Sequence, residues 1–332
     1  MPCAGVNAMF MGFQEYWQTR KPVLDKALNR ALSGLLGGVT LRDAASLMAS
    51  LEAGKKIRGG LTCMVSEALG GTLDSAVPRA ISVEMIQAAT LIHDDFVDRD
   101  TQRRGRPATW TVEGARRAVL IGDVIFASAI KMMSDLGRED GAAVSHAIAQ
   151  VSKGALHEPL DPLALAGEIE SGRVGGQFYE KIIRLKTGIL FGAACRLGAI
   201  AAKADGKLRE TFYQYGLCIG EAYQIADDLQ EVKTHLASRA IYPEQMVALA
   251  PALLPFAGAM RLYIPDLLKR KSTELNHPVL ELFSTAAEMM EHEIEHRLQS
   301  AISEVEGHFP DNGYSELLRS TPRDIIKMFN ES

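Results

Sequence analysis

The chain has 332 residues, 47% hydrophobic and 23% charged, enough apolar material for one large domain or two ordinary ones. Its 36 basic and 41 acidic residues leave a formal net charge of -5, so bulk electrostatics give no case for nucleic acid or an anionic membrane as partner. Cys3, Cys63, Cys195 and Cys218 are far apart, with no CxxC pair and no His at zinc-finger spacing, which argues against a disulfide framework and a structural zinc site.

The opening MPCAGVNAMFMGFQEYW lacks a basic n-region and a long apolar h-region, so a cytoplasmic protein is expected. Leu24, Leu28, Leu32 and Leu35-Leu36 then recur at helical spacing and predict a first amphipathic helix. Long Ala/Leu/Ile/Met segments follow. The predicted breaks fall near Gly37-Gly38, Gly59-Gly60, Gly70-Gly71, Arg103 to Pro107, Gly137 to Gly141, Pro159 to Pro162, Gly175-Gly176 and Asp205-Gly206. About ten helices fit between them at the usual mean length. Strand-like alternation is almost absent. The longest uncharged run, Met246 to Met260, is too short to span a bilayer and contains Pro251 and Pro255, so it is expected to be a buried, broken helix. No linker, low-complexity block or repeat interrupts the pattern, which predicts one all-α domain over residues 1–332.

Two acidic clusters stand out on these apolar helices. In LIHDDFVDRD, at 100° per residue, Gln87, Asp94 and Asp98 share one face, Asp95 flanks it, and Met85, Ala89, Ile92 and Phe96 form the opposite stripe. In QIADDLQEV, Gln224, Asp227, Asp228 and Glu231 repeat the spacing. Crowded carboxylates persist where cations offset them, and all-oxygen sets suit hard divalent ions, Mg²⁺ foremost. Taken singly, either cluster is equally a solvated helix face; the recurrence on two apolar helices favours a cavity. Basic residues accompany them: Lys55-Lys56-Ile57-Arg58 upstream, Arg103-Arg104 after the first cluster, and Lys186-Thr187 at the expected start of another helix. Mg²⁺, carboxylates and such bases together make a diphosphate clamp.

The ordered set AGKKIRGGL, VEMIQAATLIHDDFVDRDTQRRGRP, LIGDVIFASA, IIRLKTGILFGAACRLGAI and GEAYQIADDLQEV resembles the trans-isoprenyl diphosphate synthase, or polyprenyl synthetase, family. The resemblance implies an all-α terpenoid-synthase fold around a deep cavity, usually in a homodimer. It also implies the reaction: an allylic diphosphate ionises, isopentenyl diphosphate attacks the cation, and proton loss leaves a chain five carbons longer. By position, Asp94, Asp95 and Asp98 would hold Mg²⁺, two or three ions per site, together with Asp227, Asp228 and Glu231 on the facing wall. Arg103, Lys186 and, as a further candidate, Lys233 would contact the allylic diphosphate. Lys55, Arg58, Gln87 and Arg104 would bind isopentenyl diphosphate, and Thr187 and Gln224 would stand near the reacting carbons. The leaving diphosphate can itself take the proton, so no side-chain base is required. Small Thr90 and Ala89, four and five positions before Asp94, imply an open tunnel and a product of C20 or longer; Phe126, Met132 or Met133 are candidates for a deeper floor and equally for core.

The chain departs from the family pattern in three places. Glu231 replaces the usual third aspartate, no Gly-Lys-Asp segment follows the second cluster, and the Pro expected after Arg58 is missing. A class I terpene cyclase and a regulatory subunit of a heteromeric synthase therefore stay open as alternatives. Lys55, Arg58, Gln87 and Arg104 count against the first, and the intact Asp227-Asp228 pair counts against the second.

Overall fold

The computed structural model describes residues 12–38, 40–43, 47–48, 54–159, 161–269, 274–308 and 312–331. Cys3 and the opening segment lie outside them. The described residues form fourteen α-helices and one small hairpin. In chain order they are α1 (Phe13–Leu36), α2 (Ile57–Ala68), α3 (Leu73–Val97), β1 (Gln102–Arg103), β2 (Arg106–Pro107), α4 (Thr109–Glu113), α5 (Ala115–Leu136), α6 (Arg138–Ala155) and α7 (Pro162–Glu170). Then come α8 (Gly176–Ile183), a π turn (Arg184–Gly188), α9 (Ile189–Ala201), α10 (Gly206–Ser238), α11 (Pro243–Phe256), α12 (Ile264–Lys269), α13 (His277–Val305) and α14 (Ser315–Asn330). The all-α expectation is met.

Most expected breaks coincide with loops, but two do not. Gly59-Gly60 lies inside α2, because both glycines are packed: a Cβ on Gly59 would come within 2.6 Å of Leu24, and one on Gly60 within 2.9 Å of Phe13. The run from Met246 is not broken at Pro251. Both Pro251 and Pro255 are accommodated within α11, whose core-facing residues are buried, and the helix ends only at Phe256.

Local chemistry sets the helices that matter for the cavity. Thr72 and Ser75 form a reciprocal capping box at the start of α3, with Ser75 N–H donating to Thr72 Oγ1 at 3.2 Å, a cap that contributes about 1 kcal/mol. The helix terminates where Arg99 enters the left-handed region, φ 60°. Asp205 caps α10 by accepting from Leu208 N–H at 2.8 Å. The hairpin turn places Arg104 and Gly105 at φ 53° and 71°, the pairing of positive angles that a two-residue turn between right-twisted strands requires.

Buried side chains gather in two hydrophobic clusters, one centred on α1, α2, α3, α5, α6 and α9, the other on α7, α8, α11 and α12. The long helix α10 divides between the two after Ile219, whereas α13 packs in the second and reaches the first through Ala301 and Val305. Between α9 and α10 the approach is backbone to backbone. A Cβ on Gly216 would stand 2.4 Å from the Phe191 carbonyl oxygen, and one on Gly220 would stand 2.8 Å from Gly188 Cα. Glycine at these positions is what lets α9 and α10 lie so close, and that closeness brings their functional side chains into contact. Phe126 and Met132 are half-buried and Met133 fully buried in the first cluster; none lines the cavity described below, so their role is packing.

Candidate active site

A cavity of about 750 Å³ opens between α3 and α10, closed on other sides by α2, the end of α6, the π turn with α9, and α14. Asp94, Asp95, Asp98, Gln87 and Thr90 enter it from α3 and its C-terminal end, and Gln224, Asp227 and Glu231 from α10. Lys55, Arg58, Arg103, Arg104, Lys186 and Thr187 line it as well. Three of the expected residues do not. Ala89 is fully buried in the core, Lys233 pairs with Glu291 of α13 at 2.6 Å, and Asp228 is turned toward α8.

Burial governs the charge of the acids. It pushes Asp94 up to about 6, with nearby Glu158 and Asp98 adding to the rise and Lys186 opposing it. Asp95, Asp98 and Asp227 are raised for the same first reason. Glu231 is raised by burial and then by Asp227. Burial carries Asp228 highest, to about 7, against the hydrogen bond from Tyr179.

The bases divide into two groups. Lys186 and Arg103 act on both acidic walls: each lowers the pKa of Asp94, Asp98 and Asp227. Arg103 is anchored meanwhile to Asp95 by Nε at 2.6 Å and to Asp100 at 3.3 Å. Lys186 sits on Glu158 at 2.9 Å; burial pulls its pKa down, but Glu158 and Asp94 outweigh that and raise it. The second group includes Arg104, which packs on Gly54, where a Cβ would meet its guanidinium at 2.8 Å. Arg58 belongs here, its guanidinium carbon 4.4 Å from the centre of the Phe191 ring and its Nε buried without a hydrogen-bond partner. Burial lowers its pKa, and Glu84 opposes the shift. Glu84 in turn accepts from Gly59 N–H at 2.7 Å and so fixes the first turn of α2 on α3.

Thr187 does not open a helix, as the sequence suggested. It lies in the π turn that joins α8 to α9, a wider turn of the kind that often marks functional sites. From there its Oγ1 donates to Gln224 Oε1 at 2.6 Å across the α9–α10 contact.

Several lining residues escaped sequence reasoning. Glu84 was accessible to it, since 84, 87, 91, 94 and 98 continue one helical face upstream. Glu158, in the loop after α6, and Tyr223 and Phe329, whose rings meet at 4.9 Å and close one wall, carried no local signal. Among the described residues no group of three or more His, Cys, Asp or Glu side chains is already drawn together for a metal. The donors that face each other are nonetheless all carboxylate oxygens, which fits a hard cation completing its shell with water and phosphate oxygens. The remaining thiols, Cys63, Cys195 and Cys218, are free and lie outside the cavity. No described helix is long and apolar enough to cross a membrane.

Comparison with known proteins agrees with this geometry. Residues 41–238 match the polyprenyl synthetase family model. A geranylfarnesyl diphosphate synthase of Aeropyrum pernix is 34% identical over 246 residues, 69% of this chain and 75% of the relative. A geranylgeranyl diphosphate synthase of Methanosarcina mazei is 32% identical over 180 residues, 54% of this chain and 55% of the relative. Among solved structures, a polyprenyl synthase from Caulobacter crescentus, complexed with calcium and isoprenyl diphosphate, superimposes with a TM-score of 0.68 at 25% identity, covering 93% of this chain and 96% of that one. Motif order, helical architecture and these matches concur: the chain belongs to the polyprenyl synthetase family.

Proposed function

We propose that this protein is a trans-prenyltransferase that condenses isopentenyl diphosphate with an allylic diphosphate by ionisation, condensation and elimination, giving a prenyl diphosphate of C20 or longer. The observation that carries this reading is the division of the bases. Lys186 and Arg103 act on both acidic walls, whereas Lys55 and Arg58 line the same cavity from the start of α2, with Arg104 of the hairpin turn close enough to act on both Arg58 and Asp95. One cavity with two polyanion sites suits two diphosphates, and the second group gives a reason to prefer this to a cyclase.

Asp94, Asp98, Asp227 and Glu231 are the carboxylates proposed to hold Mg²⁺, with Asp95 joining once Arg103 leaves it for phosphate. When bound, Mg²⁺ would supply Lewis-acid neutralisation of the diphosphate as charge builds on it. Lys186 and Arg103 exchange their carboxylate partners for the departing diphosphate, stabilising charge where it develops. Arg58 offers its unpartnered Nε to the second diphosphate. Leu91, Ile92, Val151, Leu190 and Phe191 keep the reacting carbons away from water. Lys233, engaged with Glu291, is left out of the diphosphate set.

The same reading includes a single domain, a cytoplasmic location and a homodimer. The last is supported by Leu120 and Val124, 51% and 44% exposed on one face of α5. Sedimentation of wild type and Leu120→Glu checks it: a monomeric wild type removes the dimer. The activity itself is tested by incubating purified protein, Mg²⁺ and radiolabelled isopentenyl diphosphate with C5 to C20 allylic primers and sizing the products. Incorporation into acid-labile chains is expected, and no incorporation with any primer overturns the proposal.

A further inference from the structure

The second aspartate of the DDLQE cluster does not face the cavity. Tyr179 Oη donates to Asp228 Oδ2 at 2.6 Å, and Gln224 Nε2 donates to Asp228 Oδ1 at 3.1 Å, so both carboxylate oxygens are taken by protein donors. Tyr179 is itself 2% exposed on α8 and held against Phe256. Gln224 is buried, and its far end, Oε1, accepts from Thr187 Oγ1 at 2.6 Å. Three hydrogen bonds thus link α8 through α10 to the π turn, with Tyr179 and Gln224 both donating to Asp228 and Thr187, which lines the cavity, donating to Gln224.

The direction of these bonds has a chemical consequence. With Tyr179 donating to one oxygen of Asp228, the other accepts from the Gln224 amide N–H₂, which leaves the Gln224 carbonyl for Thr187. The Thr187 hydroxyl must then spend its hydrogen on the carbonyl. What it offers the cavity is lone pairs, with no O–H. Beside a developing allylic cation an oxygen lone pair is stabilising, whereas an outward O–H dipole opposes the positive charge. Were Gln224 free to flip, Thr187 would accept from the amide and turn its hydrogen into the cavity.

We infer that Asp228 and Tyr179 are positioning residues, not metal ligands: they lock the Gln224 amide so that Thr187 presents only acceptor oxygen to the allylic carbons. Tyr179 thereby acquires a role in a reaction it never touches. The inference rests on the prenyltransferase reading: a wild type that incorporates nothing overturns both, whereas an active wild type with unaffected variants overturns the inference alone.

The experiment is a double-mutant cycle in kcat with Mg²⁺ titrations at each corner, and thermal unfolding to verify folding. Asp228→Asn keeps the size but can accept or donate, so it no longer enforces the direction. Its kcat is expected to fall about tenfold in the wild-type background and less than about twofold in the Thr187→Val background, because both act through one hydroxyl. Half-saturating Mg²⁺ and the KM of both diphosphates stay within about twofold, whereas Asp227→Asn raises the Mg²⁺ requirement. Tyr179→Phe gives the same pattern more weakly and serves if Asp228→Asn folds poorly. Losses that multiply independently, a Mg²⁺ requirement raised by Asp228→Asn, or undiminished kcat in both Asp228→Asn and Tyr179→Phe overturn the inference.

Discussion

Substituting Ala for Gly216 tests whether the α9–α10 contact sets the site. The new Cβ would stand 2.4 Å from the Phe191 carbonyl oxygen and 2.8 Å from Cys195 Sγ. The first obstacle is backbone and cannot swing away, and an ordinary contact begins near 3.4 Å, so the helices must part by about 1 Å. Overpacking of this kind costs about 1–3 kcal/mol, partly offset by roughly 1 kcal/mol of helix propensity gained over glycine. A net loss of up to about 2 kcal/mol should appear as a lower denaturant midpoint with unchanged slope. Because α9 follows Thr187 directly and α10 carries Gln224 and Asp227, a displacement of about 1 Å should also reduce kcat on the order of 10²-fold. Gly34, exposed on the outer face of α1 with nothing within 4 Å, provides the control. Gly34→Ala should stabilise by about 0.5–1 kcal/mol and leave turnover intact. A Gly216→Ala protein as stable and active as Gly34→Ala would refute the close-approach reasoning.

Three further predictions concern the cavity. Asp94→Ala should lower kcat by roughly 10²-fold or more with a smaller change in KM, measured in the incorporation assay; an unaltered rate would remove it from the metal set. Thr90→Phe should shorten the product, since Thr90 lines the cavity. Ala89→Phe, in the core at 0% exposure, should instead destabilise by about 1–3 kcal/mol, and product sizing with denaturation curves separates the two. Finally, the native state binds the Asp94 proton more tightly than the unfolded chain does, so ionisation costs stability as pH rises from about 4 through about 6 and no further above it. Metal-free Asp94→Asn should therefore gain on wild type between pH 4 and pH 7 in unfolding free energy; a pH-independent difference contradicts the burial argument.

Spacing along single helices was legible because a helix fixes which of its own residues share a face. Gln87, Asp94 and Asp98, and likewise Gln224, Asp227 and Glu231, could be placed together from residue numbers alone, and all six enter the cavity. Glycine and proline were poorer guides. Gly59-Gly60 and Pro251 suggested breaks, yet packing against α1 and burial within α11 overrode local preference.

The sequence by itself determined the helical class, the two acidic faces and the bases near them, since these follow from periodicity and side-chain chemistry. Only the tertiary structure decided which partners those faces meet. Thr187 meets Gln224 because glycines let two helices touch, and Asp228 turns to Tyr179, 49 residues away. Lys233 goes to Glu291 while Glu158, in a loop without a motif, takes Lys186. The reason is geometric: the one-residue step from Asp227 to Asp228 rotates the side chain by about 100°, and the sequence does not say what stands at the new angle. Packing among distant helices does, and it separates a carboxylate that faces the cavity from one that orients its neighbours.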